Sequence, residues 1–208
     1  MSGTTLICFA LKEEAAPFRK LAAGREDLQI LVTGMGRKNS EQSLRAALAK
    51  KKPVRVFTCG FAGALNPALT GGEVVFSTDE SAALLAAGAK PVTFHCAPRI
   101  AVTAAEKTEL RKKTGADAVE MESEIISVIC REKKIPCATV RVISDAADED
   151  LPMDFNQLTT ADMCMDFGKL ALALMKSPGK ISGLLKLQRK TRTAAENLAR
   201  VLAQITAR

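Results

Sequence analysis

The 208 residues contain no tryptophan and no tyrosine, and aromatic residues make up only 4% of the chain. A nucleic-acid surface built from aromatic stacking platforms is therefore disfavoured. Histidine occurs once, at His95, and none of the six cysteines forms a C-x-x-C pair. The ligand set of a structural zinc site is missing, so no metal is expected. Cys8, Cys59, Cys96, Cys130, Cys137 and Cys164 are scattered, mostly within apolar runs. They read as small buried hydrophobes in a reducing compartment. No apolar run is long enough to span a bilayer, and the run at 4–11 is too short for a signal peptide and lacks a basic flank. A cytoplasmic location is expected. Low-complexity tracts and internal repeats are absent too, which excludes a disordered or fibrous chain.

What is present is a chain with 47% hydrophobic and 25% charged residues, enough for one globular domain with a substantial core. The formal net charge is +7. From 177 onward, Lys180, Lys186, Arg189, Lys190, Arg192, Arg200 and Arg208 stand against one acid, Glu196, so this tail carries +6 and the rest about +1. Charge confined to a tail weakens a general nucleic-acid reading, and no nucleic-acid partner is expected. The division expected is a catalytic domain over 1–176 and a basic amphipathic helix over 177–208.

Apolar runs at 4–11, 28–32, 54–58, 73–77, 116–121 and 137–143 read as strands, with weaker candidates at 92–96 and 99–103. Helical stretches at 12–23, 40–50, 104–113, 122–133 and 160–175 separate most of them, with Asn39 as candidate N-cap and Gln42 in the capping-box position. Strands alternating with helices indicate an α/β fold: a three-layer sandwich around a mixed, largely parallel sheet.

The chain is organised around 115–124 and its echo at 140–145. Each begins as an apolar run and ends in carboxylates: Glu120 and Glu122 flanking Met121 in the first, Ser144-Asp145 in the second. Carboxylates at the carboxyl ends of neighbouring strands of an open α/β sheet face one crevice, where ligands bind. For a single acid, helix N-terminal stabilisation or turn capping is the better reading. Two such sites in one sheet favour a functional one. Glu14, at the end of the first strand, is as well explained by either. Glycine pairs at Gly34/Gly36 and Gly60/Gly63 allow close backbone approach at strand ends, although Gly34-x-Gly36 alone is a weak motif. Arg55 is unusual in an apolar strand, either an edge-facing charge or a functional cation.

Three motifs carry a resemblance. Gly34-Met-Gly36, Cys59-Gly-Phe-Ala-Gly-Ala64, and Val119-Glu-Met-Glu-Ser123 paired with Arg141-Val-Ile-Ser-Asp145 are similar to those of the nucleoside phosphorylase and nucleosidase superfamily. Its members cleave the N-glycosidic bond of nucleosides. The C-terminal part looks most like the hopanoid-biosynthesis-associated branch, whose enzymes remove adenine from adenosylhopane.

The resemblance implies cleavage of a purine, adenosine-type nucleoside by water, with no cofactor. The alternative it leaves is phosphorolysis, with inorganic phosphate as co-substrate. Asp145 would protonate purine N7 and Glu14 would activate water. Glu122 would accept hydrogen bonds from the ribose hydroxyls, with Met121, Glu120 and Ser144 beside sugar and base. Gly34, Gly36, Arg37, Arg55, Thr58, Cys59, Gly60, Phe61 and Ala62 would line the pocket for water or phosphate. To donate near neutral pH, Asp145 needs a water-poor crevice with other carboxylates nearby. A homo-oligomer is implied as well.

Two further expectations concern the whole molecule. The basic tail is either a solvated face of a packed helix or a peripheral contact with the inner membrane surface, bringing the pocket to a lipid-linked nucleoside. A relative that binds nucleosides without turning them over is the alternative to an enzyme. A basic nucleic-acid module is the weakest reading.

Overall fold

The computed structural model describes residues 3–160, 162–163 and 166–207. Eight strands form one sheet: β1 (Thr5–Phe9), β2 (Leu28–Val32), β3 (Arg55–Ala64), β4 (Val74–Ser77), β5 (Lys90–Pro91), β6 (Phe94–Cys96), β7 (Ala118–Glu120) and β8 (Cys137–Asp145). The main path runs β2-β1-β3-β8-β4-β5. Strands β2, β1, β3 and β8 are mutually parallel, and β4 is antiparallel to β8. Off this path, β7 pairs antiparallel with the end of β3 at Gly63 and Ala64, and β6 lies parallel to β7. The expected three-layer α/β sandwich with a largely parallel sheet is the architecture found.

Period-two alternation sorts β1 between the two faces. Ile7 and Phe9 join a core with Ala15 and Phe18 of α1 (Lys12–Leu21) and Ala194, Leu198 and Leu202 of α7 (Lys180–Thr206). Leu6 and Cys8 point the other way, into a core with Leu44 of α2 (Gly36–Lys50) and Ile125, Ile126 and Ile129 of α5 (Ser123–Glu132). Truncating a residue such as Ile129 to alanine typically costs about 2–5 kcal/mol. The second half of α7 therefore shares the main core. Its first half, with α6 (Phe167–Lys176), leaves Leu172, Met175, Ile181 and Leu185 exposed. Arg208 of the basic tail and Cys164 lie outside the described residues.

Three boundaries differ from expectation. First, β3 does not stop at Thr58: it runs through Gly60 and Gly63 to Ala64, because β8 and then β7 pair with the glycine-rich stretch. Second, α2 starts at Gly36, not Ser40. Asn39 is inside the helix, its side-chain amide donating to the Met35 and Asp162 carbonyls, so it caps nothing. Third, α6 begins at Phe167 behind Asp166, whose carboxylate accepts from the Lys169 N–H. The expected helix from 160 is replaced there by a 3-10 turn at Phe155–Leu158 and non-helical chain, with 161, 164 and 165 outside the described residues. The stretch after β4 forms the short α3 (Ala82–Ala86), and 99–103 forms no strand but leads into α4 (Ala104–Thr114), capped by the Thr103 hydroxyl.

One irregularity bears on the site. Along β3 and β8, Ala62 pairs with Ile143 but Gly63 pairs with Asp145, so Ser144 is an extra residue in β8.

Candidate active site

Five charged side chains are buried at the carboxyl ends of β1, β3, β7 and β8: Glu14, Glu120, Glu122, Arg141 and Asp145. Glu14 stands in the first turn of α1, immediately after β1. One carboxylate oxygen accepts from the Leu11 N–H at 2.8 Å, the other from the Phe61 N–H at 2.8 Å. It is therefore both a helix N-terminal acid and a strand-end acid, joined to α1 and to β3 at once. Burial pushes its pKa up to about 7, with the nearby Arg141 guanidinium and the two backbone N–H groups acting against that rise.

Glycine is required at position 60 for space as well as conformation. Gly60 has φ +142, and a Cβ there would lie 2.6 Å from Glu14 Oε1 and 2.9 Å from Arg141 Nη1. The carboxylate and the guanidinium thus flank the same strand position.

Arg141 has no expected role of its own, yet it links the acids. Its Nη2 donates to Glu120 Oε2 at 2.5 Å, to Glu122 Oε2 at 3.3 Å and to Thr58 Oγ1 at 3.2 Å, while Nη1 donates to the Cys59 carbonyl. Glu120 also accepts from the Glu122 and Ser123 N–H groups and the Ser123 hydroxyl. Burial raises the pKa of Glu120, but Arg141 and these hydrogen bonds outweigh it and hold the group below its ordinary value. For Glu122 burial wins and the pKa is raised, Arg141 and the Gly36 N–H opposing it. Gly36 opens α2 with φ +80, and its N–H donates to Glu122 Oε1 at 2.9 Å. A helix N-terminus is thus aimed at the carboxylate.

Asp145 ends β8. Its Oδ1 accepts from the Ser144 hydroxyl at 2.5 Å, and its Oδ2 lies 2.5 Å from Lys107 Nζ. It is buried as expected, but the group facing it is an ammonium where carboxylates were expected. Gly60 and Gly63, which abut Glu14 and Asp145, are three residues apart on β3, or roughly 10 Å at the usual strand rise. That separation is on the scale of a nucleoside.

The remaining candidates divide. Met121 is buried between Glu120 and Glu122, and Ala62 and Cys59 are buried in β3. Phe61 takes part through its backbone N–H. Gly34 lies in the turn before α2, its N–H on the Ala10 carbonyl. Arg37, exposed on the first turn of α2, pairs with Glu124. Two expectations need correcting. Arg55 is not among these acids: it opens β3 at the opposite end of the sheet, pairs with Glu80 and sits over the Phe57 ring. Parallel pairing puts the beginning of a strand away from the crevice formed at its end. Thr58 is buried in the sheet with its hydroxyl taken up by Arg141. Glu120, like Glu122, is buried and shares the Arg141 guanidinium.

Lys107 is the buried charge beside these acids that the sequence did not point to. It is fully buried, and its ammonium donates to the carbonyls of Ala146 at 2.8 Å and Glu149 at 2.7 Å as well as pairing with Asp145. The available signal was its place three residues before the half-buried Leu110 on α4, which puts both on the inward face. No group of three or more metal-ligating side chains is found among the described residues.

Comparison with known proteins gives matches over much of the chain. Residues 80–176 match the model of the Phosphorylase superfamily. An aminodeoxyfutalosine nucleosidase of Campylobacter jejuni is 26% identical over 63% of this chain and 73% of its own. A 5′-methylthioadenosine/S-adenosylhomocysteine nucleosidase of Glaesserella parasuis is 26% identical with the same coverage. Among solved structures, the 5′-methylthioadenosine/S-adenosylhomocysteine nucleosidase of Helicobacter pylori superposes with a TM-score of 0.71 at 17% identity, covering 98% of this chain and 97% of that one. The futalosine hydrolase of the same organism gives 0.66 at 16%, covering 97% and 98%. The fold is shared over essentially the whole chain.

Proposed function

We propose that this protein, which carries the Phosphorylase superfamily match over 80–176, is a purine nucleosidase, an N-glycosyl hydrolase that releases the free base from an adenosine-type nucleoside. The observation that carries the reading is the placement of Glu14: buried, accepting from two backbone N–H groups, pushed up to about 7, and beside Glu122 and Arg141. A carboxylate poised near neutrality suits a general base. Departure of the base gives the ribose cationic character and puts negative charge on the purine. In this reading Glu14 takes a proton from water attacking the anomeric carbon. Glu122, fixed by the Gly36 N–H, accepts from the ribose hydroxyls, and Met121 packs against sugar and base. Asp145 delivers a proton to N7, and one placed proton donor typically contributes about a hundred- to ten-thousand-fold.

Water is favoured over phosphate because phosphate needs free cations. Arg141 is occupied by two glutamates, Arg55 lies at the far end of β3, and Arg37 is paired with Glu124. The test is incubation with adenosine and related nucleosides, with and without phosphate, analysed for free base and for ribose against ribose 1-phosphate. Phosphate-independent release of base and ribose is expected. Ribose 1-phosphate as the product would replace this reading with phosphorolysis, and failure to release base from any purine nucleoside would leave a binding protein.

Two finer points extend the reading. The substrate is lipid-linked, as in the hopanoid-associated branch, and α6 with the first half of α7 meets the anionic membrane surface that holds it. Between Phe167 and Ala195 the sequence has seven basic residues and no acid, and exposed Leu172, Met175, Ile181 and Leu185 lie among them. Apolar burial combined with attraction to anionic lipid is how interfacial helices bind. Among the described residues, no helix is long and apolar enough to cross a membrane.

A further inference from the structure

Lys107 stands outside every role assigned so far, although it is among the largest fully buried side chains of the protein. An ammonium has three hydrogens, and here three acceptors meet it: Asp145 Oδ2, the Ala146 carbonyl and the Glu149 carbonyl. Burying an ammonium is unfavourable by several kcal/mol unless it is paired and hydrogen-bonded. A purely structural tie between α4 and the loop after β8 could be made by a neutral donor without that penalty. The charge is therefore spent on Asp145. Both oxygens of that carboxylate already accept, one from Ser144 and one from Lys107, and the Lys107 ammonium is the hydrogen donor in direct contact with it.

On the nucleosidase reading, we infer that Lys107 is a positioning residue that aims Asp145 at the departing base and supplies, through it, the proton that the base takes up. As the bond from the anomeric carbon to N9 breaks, its electron pair goes to the purine. The Lys107 ammonium passes a proton to the Asp145 carboxylate, and the carboxyl group so formed delivers it to N7. The pair is left as neutral amine and carboxylate, with the amine still donating to the Ala146 and Glu149 carbonyls. Water gives its hydroxyl to the anomeric carbon and its proton to Glu14. Exchange with solvent returns a proton to Lys107 and removes one from Glu14. Three other elements frame the pair: Glu149 in the loop, itself paired with Lys190 of α7, and Gly63 of β3, where a Cβ would lie 3.2 Å from Asp145 Oδ2.

The leaving group provides the test. Adenosine needs a proton on its base, whereas nitrophenyl riboside expels nitrophenolate without one. Lys107→Met is expected to lower kcat/KM for adenosine by about a hundredfold or more, the usual contribution of a placed proton donor, while nitrophenyl riboside hydrolysis stays within a few-fold of wild type. Equal losses on both substrates, or no loss on adenosine, would overturn the inference. Should the methionine variant fail to fold, Lys107→Arg carries the test. A guanidinium keeps the charge and the donors but does not surrender a proton, so the same selective loss is expected. Full adenosine activity in that variant would reduce Lys107 to charge compensation and overturn the relay. A wild-type protein inactive on both substrates would instead remove the nucleosidase reading itself.

Discussion

The Glu14 carboxylate occupies the space that any side chain at Gly60 would need. A Cβ added at position 60 would lie 2.6 Å from Glu14 Oε1, closer than carbon and oxygen approach without bonding, and the +142 φ there is one that L side chains rarely adopt. Strand β3 thus stays bare at this point so that an acid from α1 and an arginine from β8 can converge on it.

Gly60→Ala is therefore expected to damage the site out of proportion to its size. Backbone strain and overpacking each cost about 1–3 kcal/mol, and Glu14 must move to relieve the contact. Urea denaturation should register the stability loss. The kcat/KM for base release should fall by about two orders of magnitude, as expected for a displaced general base.

Glu14 also sets a pH dependence. With its pKa raised to about 7, base release should rise with pH through that value and level off above it, and Glu14→Gln should abolish it. Stability has the opposite sign. Between about 4.5, the ordinary value, and 7, the folded state holds a proton that the unfolded chain has given up. This stabilising contribution is complete below the lower value and lost as pH rises through the upper one. At 1.36 kcal/mol per unit it amounts to about 3 kcal/mol. Wild-type unfolding free energy minus that of Glu14→Gln should therefore fall from pH 5 to 8, since glutamine does not titrate.

Arg141→Met should be among the most damaging substitutions in the chain. It strands Glu120 and Glu122 without their shared cation, and breaking a buried pair from one side typically costs about 3–5 kcal/mol. Arg141→Lys keeps the charge but not the fork that reaches Glu120, Glu122, Thr58 and the Cys59 carbonyl together. Adding Glu120→Gln to Arg141→Met should recover part of the loss, and a double-mutant cycle in urea measures how much.

The exposed apolar side chains of α6 and α7 offer a contrasting case. Met175→Glu combined with Leu185→Glu touches side chains that are 80% and 50% exposed, so the melting temperature should hardly change. If α6 and α7 meet a membrane, co-sedimentation with vesicles rich in anionic lipid should be lost in this variant and weakened in wild type by salt. Equal sedimentation of both proteins would remove the membrane contact while leaving the catalytic reading untouched.

Glu14, Glu122 and Asp145 stood out in the sequence because each ends or follows an apolar run; parallel pairing gathers the ends of β1 and β8, whereas Glu122 arrives from β7, which runs antiparallel to β3. What the sequence left open is long-range pairing. Residues 59–64 resemble a turn by composition, since glycine is a poor strand former, yet partners on both sides draw them into β3. Arg55 was legible as an oddity but not as belonging to the far end of its strand. Arg141 carries the same signal, a cation inside an apolar strand, and its weight came only with the three carboxylates around it. Lys107 looked like one more charge on a polar helix, because its acceptors lie 38 to 42 residues further along the chain.

The surplus residue in β8 has a consequence for how the acid is held. Side chains on a regular strand alternate, so without the surplus residue Asp145 would follow Ile143 directly and still lie opposite Gly63, on the same face. With Ser144 inserted, the acid keeps that partner and gains a hydroxyl neighbour that donates to its Oδ1. Replacing Ser144 by alanine removes the hydroxyl and keeps the bulge. Excising Ser144 removes both, so the pair of variants separates what the hydroxyl contributes from what the irregular backbone contributes.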